Sequence, residues 1–182
     1  MLILYFALAS LLVGWVRGGR LRNLEHTPLA GLWLPILAFL LEALIGPLGR
    51  WLPGQAALWL LVPAEYLLLG LFLWRNRALA PTRLLAAGTL CNLLVIGANG
   101  WRMPVSARIA SMPELSALAD RVRSGELTEY VLADGSTRLL WLADVIHLPF
   151  VPGMSFASVG DLLLGAGIFW LIQRIMVVPA NP

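Results

Sequence analysis

The chain has 182 residues, is 59% hydrophobic and 13% charged, and carries a formal net charge of +3. A soluble domain is about 45–50% apolar and about 25% charged. A core of this size cannot hide the excess, so lipid is the expected solvent for much of the surface. Every basic side chain is arginine. The arginines sit in short loops between apolar runs, so the pI near 9.8 reads as membrane orientation and not as nucleic-acid binding. The single cysteine, Cys91, excludes an intrachain disulfide and a cysteine-based metal cluster.

Apolar segments fall at 2–16, 29–48, 55–74, 82–100 and 157–177. Most approach the ~20 residues that cross ~30 Å of hydrocarbon. The first has no basic residue before it and its arginines follow it, which predicts a retained helix and not a cleaved leader. Pro35 and Pro63 are expected to kink the second and third helices. Arg17, Arg20 and Arg22 crowd the first loop, and Arg75, Arg77 and Arg83 the third. These loops and the C-terminus are therefore expected in the cytoplasm and the N-terminus outside. Trp15, Trp33, Trp74 and Trp170 then fall toward the inner interface, and Trp51, Trp59, Trp101 and Trp141 toward the outer one.

The expected fold is an all-α membrane protein: one polytopic domain over 1–182, with five transmembrane helices in the inner (plasma) membrane. Residues 101–156 form an extracytoplasmic insertion in it. There "SMPELSALADRVRSG" reads as a short helix, capped by Ser111 with Glu114 and stopped at Gly125. Leu115, Leu118 and Val122 give it one apolar stripe. "TEYVLADGSTRLLW" reads as a β-hairpin turning at Asp134-Gly135. "LLWLADVIHLPFVPG" is too short and too rich in proline to span, and reads as an interfacial or re-entrant strip. Gly160, Gly165 and Gly167 on the last helix read as sites of close helix packing.

Ionisable groups inside a bilayer are costly and usually face the protein interior. Glu42, Asn99, Arg102, Asp144 and Asp161 are all expected in the outer third of the membrane or just beneath its surface. They make the predicted ligand-binding site, with Arg102 paired to Glu42, Asp144 or Asp161. Glu65 and Asn92, near mid-membrane, and His147 are secondary candidates. Asn99 and Asp161 also read equally well as helix caps. His26 and His147 fall on opposite sides, so neither a metal nor a haem site is expected, and no cofactor is implied. A set of Ser155 or Ser158 with His147 and Asp144 has no GxSxG context and unspecific spacing.

At "RGGRLRNL", "NGWRMPVS", "LADVIHLP" and "SVGDLLLGAGIFWLI" the chain resembles an uncharacterised bacterial membrane family, domain of unknown function family 5317. The resemblance runs nearly the full length and lies in the order of the motifs. It marks Asn99, Gly100, Arg102, Met103, Pro104, Asp144, Gly160 and Asp161. The family pattern Gly-Asp-Val-Ile-Pro corresponds here to Ala143, Asp144, Val145, Ile146 and His147, so Asp144 follows the pattern and His147 departs from it. The resemblance implies a small polytopic membrane protein and no activity.

The favoured function is binding or transport of a small polar molecule or lipid headgroup in an outward-facing pocket, with Arg102 meeting an anionic ligand. A membrane-embedded enzyme acting on a lipid-linked substrate is the alternative, although no clear nucleophile supports it. A third reading is an accessory subunit or assembly factor of a larger membrane complex. Expected partners are membrane lipid and further copies or subunits, and no nucleic acid.

Overall fold

The computed structural model describes residues 2–26, 29–49, 51–52, 55–149 and 156–177, with the side chains of Leu24 and His26 outside that description. Five apolar helices carry the architecture: α1 (Leu2–Val16), α2 (Trp33–Gly49), α3 (Ala56–Arg75), α4 (Pro81–Ala98) and α7 (Val159–Val177). Their residue ranges match the five apolar runs closely. Helices α3, α4 and α7 are long and apolar enough to cross a membrane, while α1 and α2 are shorter apolar helices of 15 and 17 residues. Large apolar side chains stand exposed on their outer faces, among them Leu12, Ile36, Phe39, Leu67 and Leu94. A face of that kind is stable against lipid and not against water.

Helix α1 packs on α7, α7 on α4, α4 on α3 and α3 on α2. The tightest approaches occur where glycine removes the side chain. A Cβ on Gly160 would collide with Oδ1 of Asn92 on α4, and one on Gly165 with the ring of Phe6 on α1. The close packing expected of these glycines is therefore present. Polar groups lock the α1–α7 seam as well. Gln173 Nε2 donates to Oγ and the backbone oxygen of Ser10, and the Ser10 hydroxyl donates to Phe169 O at 2.8 Å. Ile45, Leu58, Leu61 and Val62 form the core between α2 and α3.

Two helix ends are closed by asparagine. Asn76 follows α3 and Asn99 follows α4. Asn76 Oδ1 accepts the Ala30 N–H at 2.8 Å while its Nδ2 donates to Ala30 O at 2.9 Å. Past Asn99 the chain makes a Schellman turn: Gly100 has φ +70° and the Trp101 N–H reaches Ile96 O at 2.9 Å. Trp101 also takes a positive φ of 63°, unusual for a bulky side chain.

The insertion holds strand β1 (Met103–Val105), the short helices α5 (Ala107–Ala110) and α6 (Ser116–Arg123), and strands β2 (Tyr130–Leu132), β3 (Ile146–His147) and β4 (Phe156–Ala157). Strand β1 pairs with β2 in parallel, and β3 with β4 antiparallel. The hairpin expected around Asp134-Gly135 does not form. Its turn exists, with Ser136 N–H on Asp134 Oδ1 at 2.8 Å. Beyond the turn, Asn99 takes the backbone of Arg138, Leu139 adopts φ +53°, and residues 140–142 wind into a 3₁₀ turn that buries Leu142. A tertiary hydrogen bond thus claims the segment that would have returned as the second strand.

Other local expectations differ in part. Pro35 sits in the first turn of α2, where a missing N–H frees no carbonyl. Pro63 inside α3 and Pro47 near the end of α2 are the interior prolines. Ser111 does not cap α6. It ends α5, and its hydroxyl donates to Arg108 O at 2.8 Å. Gly125 does stop α6, with φ +74°, and Leu115 and Val122 are buried as the apolar stripe predicts. The end of the interfacial strip, 150–155, including Ser155, lies outside the described residues.

Candidate functional site

A cavity of 560 Å³ lies where α2, α3 and α4 meet the insertion and the first turn of α7. Six carboxylates line it: Glu42 from α2, Glu65 from α3, Glu126 and Glu129 from the α6–β2 loop, Asp144 and Asp161. Asn92, Tyr66, Tyr130 and Trp101 complete its polar and aromatic walls.

Asp161 is held by a reciprocal cap. Its N–H donates to Ser158 Oγ at 2.9 Å, and the Ser158 N–H donates to Asp161 Oδ2 at 3.1 Å. This is a capping box with aspartate in the glutamate position. Asn92 closes the network from α4: its Nδ2 donates to Asp161 Oδ1 at 3.0 Å and its Oδ1 accepts the Ser158 hydroxyl at 3.0 Å. The same contacts that start α7 therefore bind it to α4 and orient Asp161 at the cavity.

Asp144 is fixed by its backbone. Its N–H donates to Pro104 O and its oxygen accepts the Ser106 N–H, both at 3.0 Å, so it sits beside β1 as a further rung. The residue is 3% exposed and its Oδ1 has no hydrogen-bond partner among the described residues. Burial, and then the charge of Asp161, push the Asp144 carboxyl up to about 8. Tyr130 is likewise raised, by burial first and next by Asp144, so it stays a neutral phenol.

Of the residues expected in one site, Glu42, Asp144 and Asp161 line this cavity, together with Glu65 and Asn92. Asn99 and Arg102 are not among its lining residues. Both hydrogen-bonding atoms of the Asn99 amide are used on backbone, with Nδ2 on Val95 O and Arg138 O and Oδ1 on Arg138 N–H. Arg102 forms no ion pair with Glu42, Asp144 or Asp161, and its Nε is buried without a hydrogen-bond partner among the described residues. His147 stands apart, 4.0 Å from Glu114. Nor does a serine triad assemble at Ser158, whose hydroxyl is engaged with Asn92.

Sequence reasoning missed Glu126, Glu129, Tyr66, Tyr130 and Trp101. The signal for the first two was "GELTEY", two acids at a spacing of three just after a helix stop. Glu129 falls in the stretch read as a hairpin strand, and nothing local to the sequence shows that either acid lines a cavity with α2 and α3.

No curated protein and no solved structure matches the chain. The family comparison does match, over residues 26–173, a stretch that contains every residue of the cavity from Phe39 to Asp161. The chain belongs to the family of unknown function DUF5317.

Proposed function

We propose that this is a five-span membrane protein, N-terminus out and C-terminus in, that binds a small polar molecule in the acidic cavity beneath its extracytoplasmic insertion. The carrying observation is Asp144: a residue 3% exposed, at the cavity wall, with a carboxyl oxygen that has no hydrogen-bond partner among the described residues. Natural proteins rarely bury a carboxyl without partners, and a ligand is a partner the fold itself does not supply. The volume of 560 Å³ lies in the range of small-molecule sites, about 300–1,000 Å³. The orientation rests on the loop arginines. Arg75, Arg77 and Arg83 cluster at the far end of α3 and α4, with Arg77 stacked 4.4 Å from the Trp74 ring, as at an inner membrane interface.

Among the described residues the lining carries six carboxylates and no arginine, so the anionic ligand expected from Arg102 finds no counter-charge there. Binding, and not catalysis, is the simpler use of a cavity with no serine or cysteine among its described lining residues, and whose asparagine is engaged with Ser158 and Asp161.

Gly46 tests the access route. It lines the cavity, and a Cβ there meets nothing within 4 Å. In a Cys91→Ser background, Gly46→Cys is expected to react with a membrane-impermeant maleimide added outside intact cells. Gly70→Cys, in the groove at the opposite end of α3, is expected to react only after the membrane is opened. Reversal of the two would overturn the orientation, and protection of both from outside would overturn the open cavity.

A further inference from the structure

The ligand class follows from sign, spacing and shape together, and it rests on the cavity being a binding site. We infer that the cavity takes a small organic dication, an α,ω-diamine or a close relative, held between carboxylates of separate elements.

Sign comes first. Of the six carboxylates, Glu126 is neutralised by Arg121 at 2.9 Å. Asp161 accepts hydrogen bonds from Asn92 and Ser158, which orient it without cancelling its charge. Glu42, Glu65, Glu129 and Asp144 have no ion-pair partner among the described residues. An anion entering such a space meets like charge at low dielectric, which is strongly unfavourable.

Spacing decides between a metal ion and a larger cation. Inner-sphere binding of Ca²⁺ or Mg²⁺ needs several oxygens converging at about 2.0–2.6 Å. Among the described residues no three His, Cys, Asp or Glu side chains are grouped closely enough to hold a metal ion. The carboxylates are instead dispersed around 560 Å³, contributed by α2, α3, the α6–β2 loop, the Asp144 rung and α7. Separated anions match a ligand with separated cationic ends.

Shape and surface agree. Tyr66, Tyr130 and Trp101 share the wall with the acids. Aromatic faces attract ammonium groups and pack against methylene chains. Pro47 has no N–H, which leaves the carbonyl of Ala43, another lining residue, without its helical partner. Ammonium groups are donors only, and the carboxylates, the two tyrosine hydroxyls and the Ala43 carbonyl can all accept.

The test uses the purified full chain in a neutral detergent and three four-carbon probes of similar length: putrescine, butane-1,4-diol and succinate. Putrescine is expected to raise the melting temperature saturably, with the shift shrinking as salt rises. The diol and succinate are expected to do nothing. Gly46→Leu, which fills open space at the wall, and Asp144→Asn are each expected to weaken putrescine binding at least tenfold. Gly46→Leu keeps the test valid should Asp144→Asn fold poorly. Succinate or the diol shifting the wild type but not Gly46→Leu would overturn the dication while leaving the cavity a binding site. Mg²⁺ matching putrescine at equal concentration would overturn it in favour of a metal. No shift from any of these probes would overturn both the ligand class and the cavity reading, as would a putrescine shift that persists undiminished in Gly46→Leu.

Discussion

Asn99 grips Arg138 from both sides of its peptide unit: Nδ2 donates to the Arg138 carbonyl and Oδ1 accepts the Arg138 N–H, each at 2.9 Å. Asn76 does the same to Ala30 at the other end of the bundle. The two clasps differ in burial. Asn76 is 4% exposed, whereas the Asn99 bonds to Arg138 lie at the surface. A net hydrogen bond is worth about 0.5–1.5 kcal/mol, and a buried group left unpaired costs about 1–3 kcal/mol more. Asn76→Ala is therefore expected to lose about 2–4 kcal/mol and Asn99→Ala about 1–2 kcal/mol. Thermal or denaturant unfolding in detergent checks the order. Equal losses would show that the surface clasp is as structural as the buried one.

Glycines separate into two kinds by what surrounds them. Gly160→Ala drives a methyl into Asn92 and the Gly88 carbonyl across the α4–α7 contact, where backbone meets backbone. Overpacking of this sort costs about 1–3 kcal/mol or more, and here it also breaks the Asn92–Ser158–Asp161 network. Gly70→Ala meets nothing within 4 Å in the last third of α3. It is expected to gain about 0.5–1 kcal/mol from helix propensity. Melting temperatures of the two variants should move in opposite directions, and a fall in both would mean that the Gly70 face is occupied by something the bundle needs.

Arg102 gives a third test. Its Nε is buried and unpaired, and it takes no part in the cavity lining. Arg102→Gln is expected to leave putrescine affinity within about twofold of wild type while changing stability by less than about 1.5 kcal/mol. A tenfold loss of affinity with unchanged stability would return Arg102 to the site.

That residue also shows where sequence reading stops. Apolar run length locates a helix because each run must bury itself in lipid or protein whatever its neighbours do. The same runs put Glu42, Asp144 and Asp161 at a common level, and the structure brings the three to one cavity. Level does not give azimuth. The direction of Arg102 is set by the Gly100–Trp101 turn, where two successive residues take positive φ. Glycine announces the first and nothing announces the second. The lost hairpin is the same lesson in strands. Asp134-Gly135 does make its turn, but whether the chain returns along β2 depends on Asn99, 39 residues away. Ser158 and Asp161 were readable as a cap because a capping box is local, three residues apart. Asn92, which ties that cap to α4, was readable only as a polar residue in an apolar helix.

The pH response follows from Asp144. Its folded carboxyl titrates at about 8 against an ordinary 3.8, raised by burial and by Asp161, with Tyr130 on β2 the other titratable group whose proton it influences. Between those values the folded chain holds a proton that the unfolded chain has released. Stability from this group is therefore fully present below about pH 4 and falls as pH rises toward 8, by at most about 1.4 kcal/mol per pH unit. Above 8 both states are ionised and its effect is level. Cation binding runs the other way, because an ammonium group competes with the proton on Asp144. Putrescine affinity is expected to climb from pH 5 to pH 8 and then flatten. In Asp144→Asn both slopes should diminish, leaving only what the remaining acids contribute. Melting curves at pH 5, 6, 7, 8 and 9, with and without putrescine, measure the two slopes in one experiment. A wild-type stability that rises with pH relative to Asp144→Asn would mean that this carboxyl is ionised and already partnered inside the fold, and Asp144 would then have no unmet charge to offer a ligand.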